Sequence, residues 1–112
     1  MRREEEHNIQ VACVNWFRYQ FPKHVIFGVP NGGQRNAIVA AKLKAEGALS
    51  GVADLIILAP NKVLFIEMKT KKGKQQQSQI DFQANCERLG HQYFVCKCFE
   101  EFRSVVTKNL SM

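Results

Sequence analysis

The chain predicts an α/β domain built on one mixed β-sheet flanked by helices. Three observations carry this. Apolar residues switch between helical and strand spacing along the chain. Two β-rich segments are joined by a link short enough for a hairpin. At 112 residues, 46% hydrophobic and 23% charged, the composition fits one folded domain spanning 1–112, with no room for a second.

The elements follow in order. Ile9, Cys13, Trp16 and Gln20 recur at helical spacing, which predicts a helix from Glu4 to Gln20, stopped by Pro22. Glu6 precedes Ile9 by three residues and Cys13 by seven, so a carboxylate stands at the inward-facing start of this helix. Trp16, Phe17 and Tyr19 lie around the helix and cannot all point inward, which makes one of them a candidate for a dimer surface. Val25 to Val29 reads as a buried strand closed by the turn chemistry of Pro30-Asn31-Gly32-Gly33. An Ala, Leu and Lys-rich stretch predicts a second helix from Arg35 to Glu46, with Gly47 just past its end.

Val52 to Leu58 and Val63 to Lys69 are both β-rich, and Ala59-Pro60-Asn61-Lys62 links them as an antiparallel hairpin. A symmetric closure sets Leu58 against Val63 and Asp54 directly across from Glu67. The two-residue strand period then puts Glu67 and Lys69 on one face, about 7 Å apart. After the basic loop Lys71-Lys72-Gly73-Lys74, Ser78 is expected to cap a third helix with Asp81 as its capping-box partner and Gly90 as terminator. Gln79 opens the apolar face of that helix, three residues before Phe82 and seven before Cys86. His91 to Phe99 alternates as a last strand, and Glu100 to Asn109 reads as an amphipathic helix carrying Phe102, Val105 and Val106.

The composition excludes several classes. No apolar run approaches the ~20 residues of a membrane-spanning helix, and Met1-Arg2-Arg3-Glu4-Glu5-Glu6 is no signal peptide, so a soluble, cytoplasmic protein is expected. Cys13, Cys86, Cys96 and Cys98 contain no Cys-x2-Cys pair and read as reduced, largely buried thiols, which suits a reducing compartment. His7, His24 and His91 have no ligand spacing. Sixteen Lys and Arg against ten Asp and Glu leave a net charge of +6, which favours a polyanionic partner such as nucleic acid.

Two carboxylates opposed across a hairpin repel each other and call for a cation between them. Mg²⁺ prefers oxygen ligands and takes one or two carboxylates, so Asp54, Glu67 and the carbonyl of Met68 form a suitable ligand set. Lys69 on the same face can orient the attacking water or stabilise charge on phosphorus, a combination suited to phosphodiester hydrolysis. A plainer reading stays open, in which Asp54 ends a turn and Glu67 and Lys69 form a surface pair. Glu6 likewise favours a helix dipole, and Gln79 can reach solvent.

Glu6-x-x-Ile9-Gln10, Pro30-Asn31-Gly32-Gly33-x-Arg35, Gly47, Gly51-Val52-Ala53-Asp54-Leu55, Phe65-Ile66-Glu67-x-Lys69, Gly73, Gln79-x-x-Phe82 and Gly90, in this order, resemble the VRR-NUC domain. The match runs from Glu6 to about Val95 and is specific as a series. The resemblance implies a restriction-endonuclease-like PD-(D/E)xK core, with Asp54 and Glu67 as metal ligands, Lys69 as the catalytic lysine, and Glu6 and Gln79 as supporting residues. Ala53 stands where many relatives have proline, a residue that fixes backbone and carries no chemistry there. Stand-alone relatives resemble Holliday-junction resolvases, which implies a homodimer and a junction substrate.

Lys71, Lys72 and Lys74 flank the carboxylates and can neutralise phosphates, Asn31, Gly32 and Gly33 allow close backbone approach to a strand, and Arg35 can fork onto phosphate. The loop also reads as an ordinary solvated one. Without interleaved aromatics, shape or backbone recognition is expected rather than base stacking. The leading expectation is a Mg²⁺- or Mn²⁺-dependent endonuclease acting on branched DNA. The alternatives are a non-catalytic nucleic-acid-binding module on the same scaffold and, more distantly, a protein-interaction domain.

Overall fold

Side-chain alternation along the strands decides which helix covers which face of the sheet. The computed structural model describes residues 2–30 and 36–110. Its elements are α1 (Arg2–Gln20), β1 (Val25–Gly28), α2 (Ala37–Ala45), β2 (Leu55–Ala59), β3 (Lys62–Met68), α3 (Gln77–Arg88), β4 (Gln92–Cys96) and α4 (Phe99–Leu110). Among the described residues the strands form one sheet in the order β1-β2-β3-β4, with the first two pairings antiparallel and β3–β4 parallel. This is the mixed α/β sheet that the sequence predicts.

Leu55 and Ile57 of β2, Leu64, Ile66 and Met68 of β3, and Cys96 of β4 point to one face, where they bury Cys13 and Phe17 of α1 and Phe102, Val106 and Leu110 of α4. Trp16 bridges these helices, its ring edge-on to Phe21, Phe99 and Phe102. Each fully buried large side chain here contributes about 1.5–3 kcal/mol. Phe65, Tyr93 and Val95 belong to the opposite face, where α3 lays Phe82 and Cys86 on them and Ala53 completes the cluster. Of the three aromatic residues around α1, Phe17 is core, Trp16 is half-buried and Tyr19 is exposed.

The hairpin register is the predicted one. Leu58 pairs with Val63 and Leu55 with Ile66, while Ala59 and Lys62 join the ladder and leave a two-residue turn of Pro60 and Asn61. Asn61 takes the left-handed backbone (φ 61°) that this short turn demands and that Asn tolerates. The β2–β3 ladder stops at Leu55, three residues after the predicted strand start, because the Asp54 side chain takes over: Met68 N donates to Asp54 Oδ2 at 2.7 Å. The Asp54 carbonyl accepts from Val29 N at 2.8 Å, which extends the β1 side. At this level β3 continues alongside β4, pairing Glu67 with Val95 and Met68 with Cys96.

Two expected boundaries are corrected. The cap of α3 is Gln76 rather than Ser78, and its box partner is Gln79 rather than Asp81: Gln79 Oε1 accepts from Gln76 N at 2.7 Å. Asp81 instead accepts from Gln77 Nε2, one turn earlier. The last strand ends at Cys96, because Lys97 N donates to Glu101 Oε1 at 2.7 Å and Phe102 N to the Cys98 carbonyl, which starts α4. Cys98 therefore leaves the strand. The four cysteines are free, and Cys13, Cys86 and Cys96 are buried. Burial pushes the thiols of Cys13 and Cys96 up to about 12, so they stay protonated. Among the described residues no helix is long and apolar enough to cross a membrane.

Candidate active site

Glu67 is the most deeply buried charged side chain described, at 1% exposure. By strand parity it belongs with Phe65 on the α3 face, yet it sits at the end of β3 where the hairpin ladder has stopped. Its Oε1 accepts from the Tyr93 hydroxyl and from Gln75 Nε2. Its Oε2 is buried and has no hydrogen-bond partner among the described residues. The ammonium of Lys69 lies 3.8 Å from Oε2, an ion pair too long for a hydrogen bond. A buried carboxylate oxygen without a donor is costly, and a cation is what would offset that cost.

Asp54 is within electrostatic reach of it. Burial is the main influence holding its carboxyl above the usual range; the Met68 N–H acts against it, the charges of Glu67 and Glu6 add to it, and Lys69 opposes it. The hairpin ladder ends one residue short of Asp54 and Glu67, and the two carboxylates are linked by their charges, while the Lys69 amine is 3.8 Å from Glu67. Glu6 joins from α1, where it lines an open cleft of about 460 Å³ with Gln10, Asp54 and Met68. Among the described residues no three His, Cys, Asp or Glu side chains gather into a metal cage. Two carboxylates and a neighbouring main-chain carbonyl are still a fitting set for Mg²⁺, which keeps several waters.

The other expected residues are placed less centrally. Gln79 is half-buried at the start of α3 with its carbonyl engaged in the helix cap. Lys71, Lys72 and Lys74 are exposed on the connection that leaves Lys69, where Gly73 N donates to the Thr70 carbonyl and folds the segment into a turn. Asn31, Gly32, Gly33 and Arg35 lie outside the described residues. Sequence reasoning missed Tyr93 and Gln75, the two donors on Glu67 Oε1. A signal for Tyr93 existed: its alternation with Val95 puts a hydroxyl on a buried face, where it needs an acceptor.

The VRR-NUC domain family model matches residues 2–100. The chain belongs to the VRR-NUC domain family. It is thus a nuclease-type domain, for which a nucleic acid is the substrate. Two solved structures share the fold. One, named a VRR_NUC domain protein, is 23% identical with a TM-score of 0.73, over 92% of this chain and 85% of that one. The other, named a VRR_NUC domain, is 18% identical with a TM-score of 0.66, over 90% of this chain and 92% of that one. A search of curated proteins found no match. Ala53 is fully buried and clusters with Cys86 and Tyr93.

Proposed function

We propose that this VRR-NUC domain is a Mg²⁺- or Mn²⁺-dependent endonuclease that hydrolyses DNA phosphodiesters in branched structures such as Holliday junctions, working as a homodimer in the reducing cytoplasm. One observation supports this above the rest: a buried carboxylate oxygen, Glu67 Oε2, has no hydrogen-bond donor among the described residues, with the Lys69 ammonium 3.8 Å away and Asp54 within electrostatic reach. Asp54, Glu67 and the Met68 carbonyl would hold the cation, which when bound activates water and stabilises charge on the phosphate. The Lys69 ammonium, kept close by Glu67, orients the attacking water and stabilises charge building on phosphorus. Glu6 adds a carboxylate in the cleft it lines with Asp54, and Gln79 fixes the start of α3. Lys71, Lys72 and Lys74 bind flanking phosphates, and Asn31, Gly32, Gly33 and Arg35 supply further backbone and guanidinium contacts to the DNA. Two copies address the two strands of a junction.

The test is a panel of labelled duplex, flap, single-stranded and four-way DNAs, incubated with and without divalent ions. Cation-dependent cutting of branched DNA is expected, and Asp54→Ala, Glu67→Ala or Lys69→Ala should reduce it at least 100-fold, about 3 kcal/mol of transition-state stabilisation, with the circular dichroism spectrum unchanged. Binding without cutting across a Mg²⁺ and Mn²⁺ titration would instead identify a non-catalytic nucleic-acid-binding module.

A further inference from the structure

Glu67 presents two chemically distinct oxygens. Oε1 receives two neutral donors, the Tyr93 hydroxyl and the Gln75 amide at 3.2 Å, while Oε2 receives none among the described residues. The parallel β3–β4 register pairs Glu67 with Val95, so Tyr93, two residues earlier, lies diagonally across on the same face. Its ring is held by Phe82 of α3 at 6.0 Å.

Gln75 is fixed from its other side. Its Nε2 also donates to Gln83 Oε1 at 2.9 Å, and Gln83 Nε2 donates to Glu87 Oε2 at 3.1 Å, one turn further along α3. Both ends of this relay are carboxylates, which only accept. Glu87 therefore draws the amino group of Gln83, which turns its carbonyl toward Gln75. Gln75 must then offer its own amino group to both Gln83 and Glu67. The reversed amide would set its oxygen against two acceptors.

We propose that Tyr93 and Gln75 are positioning residues for the metal-binding carboxylate: they hold Glu67 by Oε1 and leave Oε2 as the atom presented to a divalent cation. This rests on the metal reading of Asp54 and Glu67. Both donors are neutral, so neither acts as a counter-charge that competes with the cation, and the clamp stops the carboxylate from turning about its last bond. Partners that orient a ligand in this way are typically worth about 10–100-fold in metal affinity.

The experiment is Mn²⁺ binding to the full chain without DNA, read from the electron paramagnetic resonance signal of free Mn²⁺, for wild type, Glu67→Gln, Tyr93→Phe and Gln75→Leu. Tyr93→Phe keeps the ring against Phe82 and loses only the hydroxyl. It is expected to weaken Mn²⁺ binding about 10–100-fold while its melting temperature stays near wild type, a pattern that a purely packing role would not give. Gln75→Leu should weaken binding in the same direction and carries the test should Tyr93→Phe fail to fold. If Glu67→Gln abolishes binding while both clamp variants stay within twofold of wild type, the clamp is overturned and the metal site stands. If Glu67→Gln binds Mn²⁺ as tightly as wild type, the metal reading falls and the clamp with it.

Discussion

Asp54 illustrates how a buried carboxyl works against the fold that carries it. Burial, reinforced by the charges of Glu67 and Glu6, raises its carboxyl above the ordinary value. The folded chain therefore keeps this proton to a higher pH than the unfolded chain does. Stability is lost as pH rises from the ordinary carboxylate value through the raised one, and the loss is complete above it. Asp54→Asn retains an oxygen for the Met68 N–H and removes the charge. In EDTA at neutral pH it should melt above wild type, with the gain vanishing in acid; a lower melting temperature at neutral pH would contradict this. Asp54, Glu67 and Lys69 were legible because hairpin closure and strand parity are arithmetic on residue numbers. Tyr93 and Gln75 were not, because their role depends on the β3–β4 register and on where the α3 connection runs, and neither shows as a local pattern.

Among the elements, the hairpin was the most readable and the start of α3 the least. A turn of Pro60 and Asn61 leaves little freedom in pairing, so Leu58 had to face Val63. The run Gln75-Gln76-Gln77 offered no periodicity, yet each residue acts separately, the Gln75 amide on Glu67, Gln76 as the cap residue whose N–H donates to Gln79, and the Gln77 amide on Asp81. The loop before Asp54 packs on the start of α3. Gly51 has φ +86°, and a Cβ on it would lie 2.2 Å from the Ser78 carbonyl oxygen, so the loop rests directly on the first turn of α3. Gly51→Ala is both strained and clashing, and should lower unfolding stability by more than about 1 kcal/mol in urea titrations. It should also weaken Mn²⁺ binding, since shifting α3 shifts Gln75. A variant as stable as wild type would show that the close approach is not needed.

Over the whole molecule, charge and layer order were legible and the substrate surface less so. The net charge of +6 points to a polyanion without locating it. The structure places Lys71, Lys72 and Lys74 on the exposed connection beside Lys69. Replacing all three by Gln should weaken DNA binding of every sequence alike and reduce the slope of log affinity against log salt by about 2–3, as expected when as many as three phosphate contacts are lost. An unchanged slope would remove the loop from the DNA path. α2, expected from Arg35 to Glu46, forms over Ala37–Ala45, because Asn36 caps it rather than joining it; Gly47 stands past its end as expected, yet the helix contributes no buried side chain. Composition made it a helix, and only contacts with the sheet would have made it core.

The central claim is spatial: one cation between Asp54 and Glu67 Oε2 with Lys69 adjacent. Anomalous scattering from a manganese-soaked crystal measures it directly. The account predicts a peak within coordination distance of both carboxylates, and an empty position there, with manganese absent or bound elsewhere, would contradict it.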